Sequence, residues 1–256
     1  MSRDNFTLSA YGQILQSALN AGYGFESFSE IGYEALPQTC LLRHDIDSEL
    51  LGCGPMLDVE RELGVRATYF VMTRSIAYNL FCIESRAMVE RILADGHRLG
   101  MHFMGELCEN DTPSVLAEKI MREQDWLQKE FGTAIDAVSF HQPSQAILDG
   151  NIAVPGLVNT YNKSQTGAYF YVSDTNMTWR RDHPLDIFSR KLHNRLQLLI
   201  HPIWWTSQAM TTEEKWVAVL RMNQAVLLEH WKARERTLLG KDLMKNLNNC
   251  GIRERH

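Results

Sequence analysis

Apolar positions along this chain alternate between a helical period and short continuous runs. Leu8, Tyr11, Leu15 and Leu19 recur on one helical face, and Gly22 and Gly24 end that helix. Cys40-Leu41-Leu42 is a short apolar block that leads into Arg43-His44-Asp45, the pattern of a buried strand ending in polar groups. Gly54-Pro55 opens a helix with proline in its first turn, and Leu63-Gly64 closes it. Arg66 to Met72 is rich in strand formers, a helix over Glu84 to Ala94 stops at Gly96, and Leu99 to His102 is a third short strand. Thr112-Pro113 reads as an N-cap followed by proline and starts a helix running towards Phe131-Gly132. Ala137 to His141, Tyr169 to Asp174 and Leu196 to His201 are further strands, whereas 142–168 is rich in Gly, Asn, Pro and Ser and reads as loop. Thr211-Thr-Glu-Glu214 has the capping-box pattern, and Trp216, Leu220, Val226 and Leu227 give the closing helix an apolar side.

Strands alternating with helices predict an α/β fold with a parallel sheet and crossover helices. At 256 residues, with no internal repeat and no long linker, one domain over 1–256 built as an α/β barrel fits better than two domains. The net charge of −5, without a basic block, argues against gripping nucleic acid through its phosphates. Cys40, Cys53, Cys82, Cys108 and Cys250 are odd in number and form no CxxC pair, which points to reduced thiols. The first residues, MSRDNFTLSAYGQ, lack a signal-peptide pattern, and no stretch approaches the roughly 18 apolar residues that span a bilayer. The expectation is a cytoplasmic protein with no membrane span and an open oligomeric state.

The strand ends carry the chemistry. They are Asp45 with Asp47, Met72-Thr73, His102, His141, Asp174 and His201. In a parallel α/β barrel all C-terminal strand ends open on one face, so five runs deliver an Asp or a His to one place. Such groups are costly near a core unless paired or bound to metal. Carboxylate and imidazole together bind zinc and similar divalent ions, an Asp can act as general base and a His as general acid. The face therefore suggests metal-assisted hydrolysis.

At Arg43-His-Asp-Ile-Asp47 the chain resembles the polysaccharide deacetylases (carbohydrate esterase family 4), in the branch whose first motif reads RHDxD. The segments Ala67-Thr-Tyr-Phe70, Gly96-His-Arg-Leu-Gly-Met-His102, Phe140-His-Gln-Pro-Ser144, Ser173-Asp-Thr-Asn176 and Leu199-Ile-His-Pro-Ile-Trp-Trp205 follow in the family's order, over about residues 40 to 205. The resemblance implies a distorted or incomplete (β/α) barrel of about seven parallel strands and a metal-dependent hydrolase that removes an N-acetyl group from a sugar. By position, Asp45 corresponds to the catalytic base, Asp47 to the metal-binding Asp, His102 to the first metal-binding His and His201 to the general acid. Asp174 would orient or charge-tune His201. Arg43, Asn176, Trp204 and Trp205 would meet the substrate, the two tryptophans walling the acetyl pocket or the sugar face. The implied cofactor is one divalent metal, zinc being the ion that Asp and His donors suit, and the partner is an N-acetylated sugar of a surface polysaccharide or its precursor, as in lipopolysaccharide biosynthesis.

Three departures bear on the site. The family's two aspartates are adjacent, whereas Asp45 and Asp47 are two apart, a spacing that on a regular strand places both on one face. The second metal-binding His, four residues after the first, is replaced by Glu106, and the arginine-containing third motif by His141-Gln-Pro143. Glu106 and His141 both stand as candidates for the third ligand. The altered motifs leave two alternatives open, a carbohydrate-binding relative without turnover and a hydrolase of another small amide or ester on the same barrel. His44-Asp45 also matches the His-Asp pair of the HD phosphohydrolases, but those carry it on a helix and here it ends a strand.

Overall fold

The computed structural model describes residues 5–31, 38–104, 112–149 and 152–238. Its elements are α1 (Leu8–Asn20), β1 (Gly24–Phe25), β2 (Thr39–Ile46), α2 (Gly54–Leu63), β3 (Thr68–Val71), α3 (Ile83–Ala94), β4 (Arg98–Met104), α4 (Pro113–Phe131), β5 (Ala137–His141), α5 (Gln145–Leu148), β6 (Val158–Asn159), α6 (Lys163–Thr166), β7 (Phe170–Ser173), α7 (Pro184–Arg190), β8 (Arg195–Ile200) and α8 (Thr212–Leu238). Seven strands form one parallel sheet in the order β6-β5-β4-β3-β2-β8-β7, and β1 pairs with the start of β2. No ladder joins β6 to β7 among the described residues, so the sheet is a curled half-barrel with flanking helices, an incomplete (β/α) barrel.

The helix boundaries follow local chemistry. Thr7 caps α1 through its hydroxyl, which accepts from the Ala10 N–H. Pro55 sits in the first turn of α2, and Gly64 ends that helix in the left-handed region, where a side chain is disfavoured. Pro113 and Gly132 play the same two parts for α4. The stretch 142–168, expected as loop, contains α5, β6 and α6. Its amide side chains do the work of a longer ladder. Asn159 donates to the Ile152 carbonyl, Gln165 accepts from the Asn159 N–H, and Asn162 caps α6. The same Asn and Ser residues are loop signals in sequence, which is why periodicity missed these elements. It also missed α7, a helix of only seven residues, and β1.

Strand alternation divides β2 between two environments. Leu41, Arg43 and Asp45 face the inside of the curl, where Leu41 joins Phe28, Phe70, Ala137 and Tyr169 in an apolar floor. His44 faces the helices. There the buried Glu60 of α2 lies 2.7 Å from His44 Nε2, accepts from Tyr69 Oη at 2.7 Å and accepts from Tyr11 Oη of α1. Burial would raise the Glu60 pKa, but the His44 charge and hydrogen bond, with His97 and Tyr11, outweigh it and hold the carboxyl low. This carboxylate ties α1, α2, β2 and β3 together directly behind the strand that carries the site.

The chain divides into two compact units, Met1–Lys215 and Trp216–His256, the boundary falling inside α8. Among the described residues no helix is long and apolar enough to cross a membrane.

Candidate metal centre and catalytic residues

Register assembles the site at the C-terminal ends of the strands. Asp45 pairs with Phe70 across β2 and β3, Phe70 with Gly100 across β3 and β4, and His102 with Ser139 across β4 and β5. Two residues further up, Met104 is paired with His141. Side chains of paired residues in a ladder share a face, so Asp45, His102, Ser139 and His141 all project into the curl, joined by Asp47 just beyond the end of β2.

Asp47 is the point of convergence. Its Oδ1 lies 2.9 Å from His102 Nε2 and 3.1 Å from His141 Nδ1, and its Oδ2 lies 4.0 Å from His201 Nε2. One ligand atom from each of Asp47, His102 and His141 falls within 4.8 Å of the others, a spacing that one cation can bridge. Burial would raise the Asp47 pKa, but hydrogen bonds from His102 and His141 and the charges of His102 and His201 outweigh it and hold the carboxyl far below the usual range. The donor set fits a divalent metal on its own chemistry. Two imidazole nitrogens and one carboxylate oxygen suit zinc and leave positions open, and the far nitrogen of His102 is fixed by Ser139 Oγ at 2.6 Å. Glu106, the rival third ligand, lies outside the described residues.

Asp45 is buried beside this cluster and is held at both oxygens. Arg43 Nε donates to Oδ1 at 2.8 Å and Nη2 to Oδ2 at 2.7 Å, a bidentate pair. The guanidinium is 0% exposed and lies over the rings of Phe70 and Tyr161, 5.3 and 5.2 Å from their centroids. It also donates to Tyr161 Oη at 3.2 Å. Burial works against ionisation of Asp45, but the Arg43 and His102 charges overcome it and its pKa is lowered. Arg43, expected to meet substrate, is thus fully enclosed, with Nε and Nη2 turned to the Asp45 carboxylate.

His201 is positioned by Asp174. The buried Asp174 carboxylate lies 2.6 Å from His201 Nδ1, accepts from the His201 backbone N–H at 3.1 and 3.0 Å, and accepts from Trp205 Nε1 at 2.8 Å. Burial pushes the His201 pKa down, but the Asp174 charge and hydrogen bond, with Asp47 and Asp45 behind them, raise it to about 9. Its ring is 13% exposed and turns Nε2 towards Asp47.

Of the remaining expected residues, Asn176 is exposed and sits with φ +56° in the turn after β7, followed by Met177 with φ +54°. Trp204 and Trp205 are both buried, at 6% and 5% exposure, and the Trp205 indole N–H is taken up by Asp174. Three residues absent from the sequence reading belong to the site's frame. Ser139 was legible, since it stands two before His141 on the same strand face. Tyr161 lies in the stretch read as loop, and Glu60 works from the opposite face of β2; neither carries a local signal.

No protein-family model matches the sequence, and no curated protein matches it significantly. Solved structures do. The chain is similar to the deacetylase PplD of Streptococcus pyogenes, in complex with acetate, at 16% identity and a TM-score of 0.45, over 76% of this chain and 81% of that one. It is similar to the chitin deacetylase of the fungal pathogen Colletotrichum lindemuthianum at 16% identity and a TM-score of 0.45, over 72% and 81%. A CE4 family pseudoenzyme from Bacillus anthracis is similar at 13% identity and a TM-score of 0.44, over 76% and 63%. Likeness at this level assigns no role to any residue of this chain.

Proposed function

We propose that this protein is a metal-dependent hydrolase that removes an N-acetyl group from a sugar of a surface polysaccharide or its precursor. The observation that carries the reading is the convergence of Asp47, His102 and His141 within 4.8 Å, with Asp45 and an Asp174-bound His201 around them. Asp47, His102 and His141 would hold the metal, zinc by donor type. When bound, such an ion supplies a water of lowered pKa and a Lewis acid for a carbonyl oxygen.

The chain's own residues account for the proton movements. Asp45 takes the proton of the attacking water at a carboxylate oxygen, and Arg43 keeps that carboxyl ionised and in place before each turnover. The cost is basicity, since a carboxyl held below its usual pKa is a weaker base. His201 enters protonated because Asp174 stabilises the imidazolium, and it gives its proton from Nε2 to the amine nitrogen as the C–N bond breaks. Acetate and the amino sugar leave, the acid's proton passing to the free amine, and the proton held on Asp45 passes through water to His201, so both groups regain their starting states. Asn176, exposed in the turn after β7, would meet the sugar.

The test is acetate release from N-acetylated sugars and sugar nucleotides with zinc added or removed by chelator. The expected result is release that requires metal and falls by two orders of magnitude or more in Asp45→Asn and in His201→Ala. One observation favours a second reading. Both oxygens of Asp45 are occupied by Arg43, the arrangement of a structural ion pair, so the barrel could bind glycan without turnover. Glycan binding unchanged by Asp45→Asn, with no acetate from any acetylated compound tested, would select that reading.

A further inference from the structure

Ser139 is completely buried on β5, and its hydroxyl has two neighbours, His102 Nδ1 at 2.6 Å and Asp45 Oδ1 at 3.4 Å. A serine hydroxyl has one proton to give, and an ionised carboxylate can only accept. Two arrangements of a neutral His102 follow. If Ser139 gives its proton to His102 Nδ1, the ring proton sits on Nε2 and points at Asp47 Oδ1, 2.9 Å away. If Ser139 gives its proton to Asp45, its oxygen faces His102 and requires a proton on Nδ1. The Nε2 lone pair is then directed at the Asp47–His141 cluster.

We infer that Ser139 is a positioning residue that sets the tautomer of His102, turning its Nε2 lone pair to a metal by passing the hydroxyl proton to Asp45. The inference rests on the metal reading of Asp47, His102 and His141. Its chemical sense comes from the neighbouring strand pair. The His102–Ser139 register fixes the ring against the hydroxyl, and the two N–H donors of Arg43 hold the Asp45 carboxylate so that its Oδ1 faces Ser139 Oγ as an acceptor. The proposed base and a proposed metal ligand thus share one bridging hydroxyl. Partners of this kind on metal-binding histidines contribute about 10–100-fold to metal affinity.

The experiment is zinc titration by calorimetry of metal-stripped wild type, Ser139→Ala, Ser139→Thr and Asp47→Ala, with ¹⁵N NMR of the His102 ring in the zinc-loaded proteins. The expected result is one zinc per wild-type chain, binding lost in Asp47→Ala, about 10–100-fold weaker in Ser139→Ala and largely restored in Ser139→Thr. A hydrogen-bonded Nδ1–H on His102 should be present in wild type and in Ser139→Thr. Equal affinity in wild type and Ser139→Ala overturns the inference and leaves the metal reading standing. Equal weakening in the Ala and Thr variants overturns it too, because a packing role would not need the hydroxyl. A wild type that takes up no zinc sinks the metal reading, and the inference with it.

Discussion

Replacing Arg43 by methionine leaves the Asp45 carboxylate buried with its strongest partner gone. Breaking a buried ion pair from one side costs about 3–5 kcal/mol, because the remaining charge has neither water nor counterion. Urea unfolding should register a loss of that size in Arg43→Met. The double variant Arg43→Met/Asp45→Asn should recover part of it, since it removes the stranded charge. Arg43→Lys should not rescue fully. A lysine cannot reproduce the two parallel N–H···O bonds at 2.8 and 2.7 Å, nor the planar cation lying over Phe70 and Tyr161. An Arg43→Met variant as stable as wild type would show that Asp45 does not depend on this pair.

Strands β3 and β4 approach closely enough that Gly100 has a packing reason to be glycine. A Cβ there would lie 2.6 Å from the Phe70 ring, and that ring is fully buried beneath the Arg43 guanidinium. Gly100→Ala should cost about 1–3 kcal/mol by overpacking, measured by urea unfolding, with little relief available from the buried ring. At the end of α7 the sign reverses. Lys191 caps that helix with φ +51°, a region where glycine has no steric penalty. Lys191→Gly should raise stability by up to about 1 kcal/mol, the relief of left-handed strain less the larger entropy glycine loses on folding, and a thermal melt that moves down instead would show that the lysine side chain does more than tolerate the turn.

Over the whole barrel unit, stability should respond to pH through Lys215 and to metal through the site. Lys215 is buried, and its ammonium donates to the carbonyls of Phe6, at 3.2 Å, and Trp204. Burial pushes its pKa from the ordinary 10.5 down to about 8, against the pull of Asp174. Between those values the unfolded chain holds the extra proton, so this residue makes stability rise from pH 8 towards 10.5 and is least favourable below 8. Unfolding midpoints across that range should rise less steeply in Lys215→Met than in wild type. Zinc at a hundred times its dissociation constant should add about 2.7 kcal/mol. In a unit of this size that is a shift of about 5–10 °C in Tm. The shift should vanish with chelator and in Asp47→Ala.

The sequence by itself determined the order of the six longer strands and the five longest helices, their parallel α/β arrangement and the set of polar residues at the strand ends. Those features rest on local signals, such as the apolar run Cys40-Leu41-Leu42, the Pro113 start and Gly132 stop of α4, and the two-residue spacing of Asp45 and Asp47. Alternation along a strand also fixes that His44 and Asp45 take opposite faces, while the burial of β2 on both sides leaves it to the curl of the sheet to decide which is inside. Only the tertiary structure decided partnership. Arg43 looked available for substrate in sequence and is enclosed, because Phe70 and Tyr161 come from elements 27 and 118 residues further along the chain. His141 reached Asp47 across 94 residues, through the register of β4 and β5. Tyr161 and Glu60 act from a segment without periodicity and from the far side of the sheet. Periodicity encodes which face a residue takes; what it meets there is set by how neighbouring strands align, and that alignment is a sum over the whole core.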